Sequence, residues 1–219
     1  TMDNTSISLT DNASLSSTVP LSLATLDTNG YDLMLESATS DLTITEGVTI
    51  NYAGKGGLNS GEADLTLNGS VSVLYGGILS SGGTVTFGTG SSGASFSEEK
   101  SGVLLEDTTL VLQTALDLPY LELSGTSSFQ TNGNTLSLGD LEIGLQNELD
   151  LTDVVTNSES GLYLLGNSAI TKSGALVFKQ IGLNGYTLTL NPAITGLTAK
   201  NIYMPNYDSS STNYLANTG

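Results

Sequence analysis

Four stretches of this chain follow one ten-residue pattern, and their spacing limits the folds open to it. They read Leu26-Asp-Thr-Asn29-Gly30-Tyr-Asp32-Leu33-Met-Leu35, Ile78-Leu-Ser-Ser81-Gly82-Gly-Thr84-Val85-Thr-Phe87, Phe129-Gln-Thr-Asn132-Gly133-Asn-Thr135-Leu136-Ser-Leu138 and Ile181-Gly-Leu-Asn184-Gly185-Tyr-Thr187-Leu188-Thr-Leu190. The copies start 52, 51 and 52 positions apart, which predicts one supersecondary unit repeated along an axis. In each copy Asn-Gly or Ser-Gly supplies a corner of positive φ. The apolar-x-apolar triplet that follows puts two side chains on one face of a short strand.

Similar triplets recur outside the motif: Leu42-Thr-Ile44, Val48-Thr-Ile50, Leu65-Thr-Leu67, Val71-Ser-Val73, Leu110-Val-Leu112, Leu121-Glu-Leu123, Leu141-Glu-Ile143, Leu162-Tyr-Leu164 and Ile202-Tyr-Met204 among them. Brief strands bounded by turn residues point to an all-β chain with no helix of consequence. Two architectures use such a pattern. A β-solenoid coils and stacks its rungs by parallel pairing, whereas an antiparallel β-sandwich would use Asn-Gly as hairpin turns. The steady period favours the solenoid. Read as two coils per motif interval, it predicts about eight rungs, with Leu33, Leu35, Val85, Phe87, Leu136, Leu138, Leu188 and Leu190 stacked in the core. Each corner Gly should tolerate substitution poorly, Gly133 more so than a loop glycine such as Gly90.

The repeats divide the chain into a polar N-terminal extension or cap (1–20), the solenoid (21–204) and a polar C-terminal tail (205–219). The tails are rich in Ser, Thr, Asn and Asp. Within the first, Ile7, Leu9 and Leu15 are candidates for an assembly strand added to a neighbouring molecule; folding back as a local cap is the alternative. Thr1 ahead of Met2 reads as a processed or excised boundary.

The segments Asn184-Gly-Tyr-Thr-Leu-Thr-Leu190 with Ala193-Ile-Thr-Gly196, Thr131-Asn-Gly-Asn-Thr-Leu-Ser-Leu138 and Ile170-Thr-Lys-Ser-Gly-Ala-Leu-Val-Phe178 resemble the β-strand repeats of autotransporter passengers and filamentous-haemagglutinin-like adhesins. The resemblance covers about residues 21 to 204. It implies a right-handed parallel β-helix displayed outside a bacterial cell, with adhesive or structural duty. The translocator barrel of the complete family pattern is not in this sequence.

Charge sets limits on partners. Twenty-two acidic residues face five lysines, with no arginine, for a net −17. Such a surface repels nucleic acid and anionic headgroups, and no apolar run of about 18 residues would span a bilayer as a helix. Without His or Cys the chain lacks the usual ligands for zinc, copper or haem and can make no disulfide, leaving oxygen-ligated cations such as Ca²⁺. Acids concentrate at Asp140, Glu142, Glu148, Asp150 and Asp153. They alternate with apolar residues and so read as a solvated outer face. Glu122 and Glu142 would stack if one coil spans the interval between them, and stacked carboxylates repel unless bridged. The Gly-Gly-x-Gly-x-Asp repeat of calcium-binding β-rolls is absent, so no cofactor is expected.

Paired carboxylates and nine tyrosines could serve a carbohydrate-binding or carbohydrate-cleaving module such as a phage tail-fibre segment, but without His, Arg or Trp the catalytic means are thin. Thr84-x-Thr86 and Thr187-x-Thr189 suit strands for ordinary reasons. The Asn-x-Ser/Thr sites at Asn4, Asn12 and Asn68 permit glycosylation and no more. The expectation is therefore a non-enzymatic extracellular or cell-surface protein of a prokaryote, structural or adhesive, that self-associates into a fibre or oligomer and meets a host-surface or glycan receptor.

Overall fold

A computed structural model describes the backbone of residues 5–36, 40–51, 57–98, 101–144, 146–203 and 214–217, and the side chains of these residues except 146–148 and 214–217. Met204, Asn4 and the Glu148 side chain lie outside what is described. The chain is an all-β solenoid in which parallel coils stack in about nine turns. Every strand pairing among the described residues is parallel, which excludes the sandwich. At a strand spacing of roughly 4.8 Å the stack is about 43 Å long.

Each coil passes through three ladders in turn. The first contains Leu65–Leu67, Thr84–Phe87 and Thr109–Leu112, the second Ser70–Tyr75 and Ser95–Phe96, and the third Gly77–Ser80 and Gly102–Glu106. Some strands run through a corner without a break. Leu42–Asn51 serves the first and second ladders, whereas Leu116–Ser124, Leu136–Ile143 and Gly174–Gly182 serve the second and third.

The period-2 alternation of a strand decides which side chains enter the core. In the first ladder Leu42, Leu65, Val85 and Leu110 are successive partners, each fully buried. In the third ladder the inward column runs Ala13, Leu33, Leu58, Ile78, Val103, Leu121, Leu141, Leu162, Ile181, Ile202. Its steps are unequal, shortest from Val103 to Leu121 and longest from Leu33 to Leu58 and from Ile78 to Val103. On average one coil takes roughly 21 residues, near the lower end for stacked repeats, and so less than half of the motif interval. The stack makes about nine turns, close to the eight or so rungs expected from the sequence.

Those steps also correct the reading of the repeat. The motif interval is about two and a half coils, so the four motifs do not stack. Leu33 lies in the third ladder, Val85 and Leu188 in the first, and Leu136 in the second. All eight proposed core leucines, valine and phenylalanine of the motifs are nevertheless buried. The motif is a corner element that serves at any of the three corners, since each needs the same reversal of direction between two short strands.

The coil also begins earlier than residue 21. Ser6–Ser8 pairs with Thr25–Asp27, and Ala13–Leu15 with Leu33–Leu35, in the same ladders and the same parallel sense. Tyr214–Asn217 likewise pairs with Thr187–Leu190. Ile7, Leu9 and Leu15 accordingly pack on their own chain, Leu9 being buried and the other two half-buried against the core.

Three corners place Asn and Gly together in the left-handed region: Asn29 and Gly30 at φ 49° and 90°, Asn132 and Gly133 at 52° and 78°, Asn184 and Gly185 at 51° and 88°. In the remaining motif the left-handed pair is Gly82 and Gly83, at 139° and 69°, so Ser81 is not the corner residue. Gly90 is no neutral comparison for Gly133 either. A Cβ on Gly90 would sit 1.7 Å from the Asn68 carbonyl oxygen, whereas one on Gly133 meets nothing within 4 Å and suffers only from its φ. Gly196 has neither constraint. Gly133→Ala should cost about 1–2 kcal/mol, roughly 2–8 °C in melting temperature for a domain of this size. Thermal melts should show Gly90→Ala at least as damaging and Gly196→Ala nearly silent; a damaging Gly196→Ala would show that open space and an ordinary φ are not what make a glycine replaceable here.

Candidate functional site

The corners do more than turn the chain. The Asn29 side-chain amide donates to the Leu9 carbonyl at 3.0 Å, Asn132 to Leu112 at 3.1 Å and Asn184 to Leu164 at 3.0 Å. In each case the acceptor belongs to the preceding coil. Asparagine is therefore selected twice: it tolerates the left-handed backbone, and its amide satisfies a carbonyl at the end of the strand before it. Turn bonds complete each corner, from the Tyr31 N–H to the Thr28 carbonyl, Asn134 to Thr131 and Tyr186 to Leu183. The Gly82–Gly83 corner is tied by hydroxyls instead. Thr108 Oγ1 accepts from the Gly82 N–H at 3.0 Å and donates to the Ser80 hydroxyl at 3.1 Å, all within a buried Ser/Thr cluster that continues to Ser127.

Of the acidic candidates, Glu122 and Glu142 do stack, as direct partners on adjacent strands of the third ladder. Both are half-buried and point outward between the inward leucines. Tyr120, which pairs with Asp140, donates its hydroxyl to Glu122 Oε2 at 2.8 Å. Only 4% of Tyr120 is exposed. Burial, then the hydrogen bond and charge of Glu122 and the charge of Glu142, hold its phenol well above the ordinary tyrosine range.

One coil further on Tyr163 lies opposite Glu142, its ring fitted between Gly161 and Gly182, where any Cβ would come within 3.0 Å of it. The Gln180 amide donates to the Tyr163 hydroxyl. Burial also raises the Tyr163 phenol, with Asp140 and Glu142 adding to it and the Gln180 bond opposing. Toward the N-terminal side the same outward column continues through Leu104, Leu79 and Asn59, forming with Glu106 and Ser124 an open groove of about 280 Å³.

Asp150 and Asp153 lie apart from this strip, at the corner between the first and second ladders. Asp150 accepts from the backbone and hydroxyl of Thr152, and Asp153 from the Thr131 hydroxyl of the preceding coil at 2.6 Å. Beside them the Lys172 ammonium donates to the carbonyls of Leu151, at 3.1 Å, and Val154. Its pKa is lowered by burial, against the opposing pull of Asp153 and Asp150. This is a cation closing off strand-end carbonyls. The threonines stack across coils rather than by motif offset, Thr43, Thr66 and Thr86 forming one outward column of the first ladder.

The residues brought together are thus Tyr120, Glu122, Asp140, Glu142, Tyr163 and Gln180, of which Glu122, Asp140 and Glu142 are legible as candidates in the sequence. The tyrosines' place in the strip could be found from coil length, since 120 and 140, and likewise 142 and 163, fall one coil apart. The strip presents the half-buried carboxylates of Glu122, Asp140 and Glu142 and the Tyr163 phenol, with Tyr120 buried beside them. Comparison with protein-family models, with curated proteins and with solved structures finds no match.

Two measurements bear on these contacts. Asn29→Ala and Asn184→Ala should each destabilise by about 1 kcal/mol, while Asn132→Ala should cost less because Asn134 also donates to the Leu112 carbonyl, at 3.2 Å; equal losses in urea melts would refute the second bond's contribution. The Tyr120 phenol keeps its proton in the folded state to higher pH than in the unfolded chain, so its contribution is complete below the ordinary value near 10 and lost as pH rises beyond it. Wild type should lose stability above about pH 10, and Tyr120→Phe should flatten that decline.

Proposed function

We propose that the chain is an extracellular structural or adhesive rod, a subunit or segment of a surface fibre, with no enzymatic activity. The observation that carries this reading is the unbroken stack: one apolar core runs from the first coils to the last, and side-chain bonds tie successive coils at the corners. A stack of this kind supplies length and stiffness along one axis and a lateral surface for contact. The resemblance to autotransporter and filamentous-haemagglutinin-like repeats points the same way, toward the exterior of a bacterium and a host-surface or glycan receptor. The acidic exterior suits a solvated rod and disfavours nucleic acid and anionic membranes.

A second reading, a carbohydrate-binding or carbohydrate-cleaving module, draws on the convergence of Glu122, Glu142 and Tyr163 on one face. Such groups can hydrogen-bond sugar hydroxyls and stack on sugar rings. Immunogold labelling of intact source cells separates location from chemistry: the proposal expects gold on the surface or on fibres, and label confined to the interior would overturn it. A polysaccharide panel should remain uncut; cleavage abolished by Glu142→Gln would establish the second reading in its catalytic form, and glycan retention lost in Tyr163→Ala its binding form.

A further inference from the structure

The charge of this chain is divided along its axis. Residues 1–159 hold 21 of the 22 acidic residues and two lysines, whereas 160–219 hold only Asp208 and three lysines, a net −19 against +2. Because the described coils stack in chain order, sequence position within them is position along the rod. Its first described coils are acidic, while residues 160–203 hold three lysines and no acid.

The outer coils also leave their core columns partly open. In the third ladder Ile181 is buried, but its partner in the last coil, Ile202, is 47% exposed. In the second ladder Leu176 and Phe178 are buried while their partners Leu197 and Ala199 are only half-buried. At the other end Leu26 and Leu33 are buried over the half-buried Ile7 and Ala13. Among the described residues Ile194–Tyr203 pairs on one side alone, as do Ser6–Ser8 and Ala13–Leu15. An edge of this kind accepts another parallel strand.

Register supplies the third observation. In the last coil Lys200 stands two positions before Ile202, at the corner between the second and third ladders. In the first coil Asp11 stands two positions before Ala13, at the same corner. Lys200 lies opposite Lys179 of the coil before it, and Lys179 is paired with Glu159 at 3.6 Å. Like charges on neighbouring strands repel, and Lys200 makes no ion pair among the described residues. An acid one coil further on would relieve both.

We infer that copies of this chain associate head to tail, the last coil of one molecule seating against the first coil of the next so that the ladders continue in register, Ile202 over Ala13 and Lys200 over Asp11 of the second copy. The inference deepens the fibre reading and rests on it for biological meaning, although the contact itself can be tested without it. The two surfaces differ, so the contact does not close on itself, and repetition yields a filament rather than a dimer. First-coil residues stay in their own molecule, so no strand is exchanged.

Sedimentation velocity at about 0.15 M salt tests it, since charges beyond roughly 8 Å are then screened and the overall net charge contributes little. Wild type should form species that grow with concentration in whole multiples of the monomer. Lys200→Glu and Asp11→Lys should each weaken association roughly fivefold, the scale of an exposed ion pair lost and replaced by repulsion. Combining them in one chain, or mixing the two variants, should restore it. Far-ultraviolet circular dichroism and melting temperature should match wild type in each, separating docking from folding. A wild type that stays monomeric, single variants that associate undiminished, or a double variant no better than either single one would overturn the inference. None of these results bears on immunogold labelling, so failure of the contact and failure of the surface reading are distinguishable.

Discussion

The whole molecule depends on parallel main-chain pairing between one coil and the next. A short strand of three or four residues is not stable by itself, and none of the coils encloses enough apolar surface to stand alone. Pairing in register solves both problems together, because it satisfies backbone groups and places each inward leucine, isoleucine or valine directly against its counterpart. The columns from Leu33 to Ile181 and from Leu42 to Leu110 are the result. A slip of one residue would turn an entire strand inside out, and the corner asparagines help prevent it by joining fixed positions in successive coils.

Much of this is legible in the sequence, though not through the feature that announces it. The apolar-x-apolar triplets and positive-φ corners identify a solenoid, and the residues of the triplets are indeed its core. The motif interval misleads because three corners of one coil obey the same local chemistry, so that similar sequences recur at dissimilar places. The true step is present in a plainer form, as the interval between Leu121-Glu-Leu123 and Leu141-Glu-Ile143. It escapes a search for regularity because coils vary in length, as between Ile78 and Val103, where Thr89–Ser91 add a short 3-10 turn.

The outer surface is less open to such a reading. Alternation places Glu122 and Glu142 outside and in line, which the pairing bears out. It gives no hint that the Tyr120 hydroxyl bends back to Glu122 two residues along the same strand, or that Gly182, one coil away, joins Gly161 in making room for the Tyr163 ring. Likewise Gly90 looks like an ordinary loop residue until the Asn68 carbonyl is seen beside its Cα. Contacts along the stacking axis join residues a full coil apart, and a reading confined to local windows passes over them.

Coils held mainly by their neighbours on either side have a mechanical consequence. A pull applied between the two ends of the chain loads the outermost coils first and opens their pairing bond by bond, leaving the interior intact until its turn comes. Each coil released yields about 20 residues, or about 70 Å of slack at full extension, in exchange for roughly 5 Å of rod. The molecule is thus stiff under small loads and lengthens in discrete increments under large ones. The corner with two asparagine bonds to Leu112 would mark a step that resists more than its neighbours.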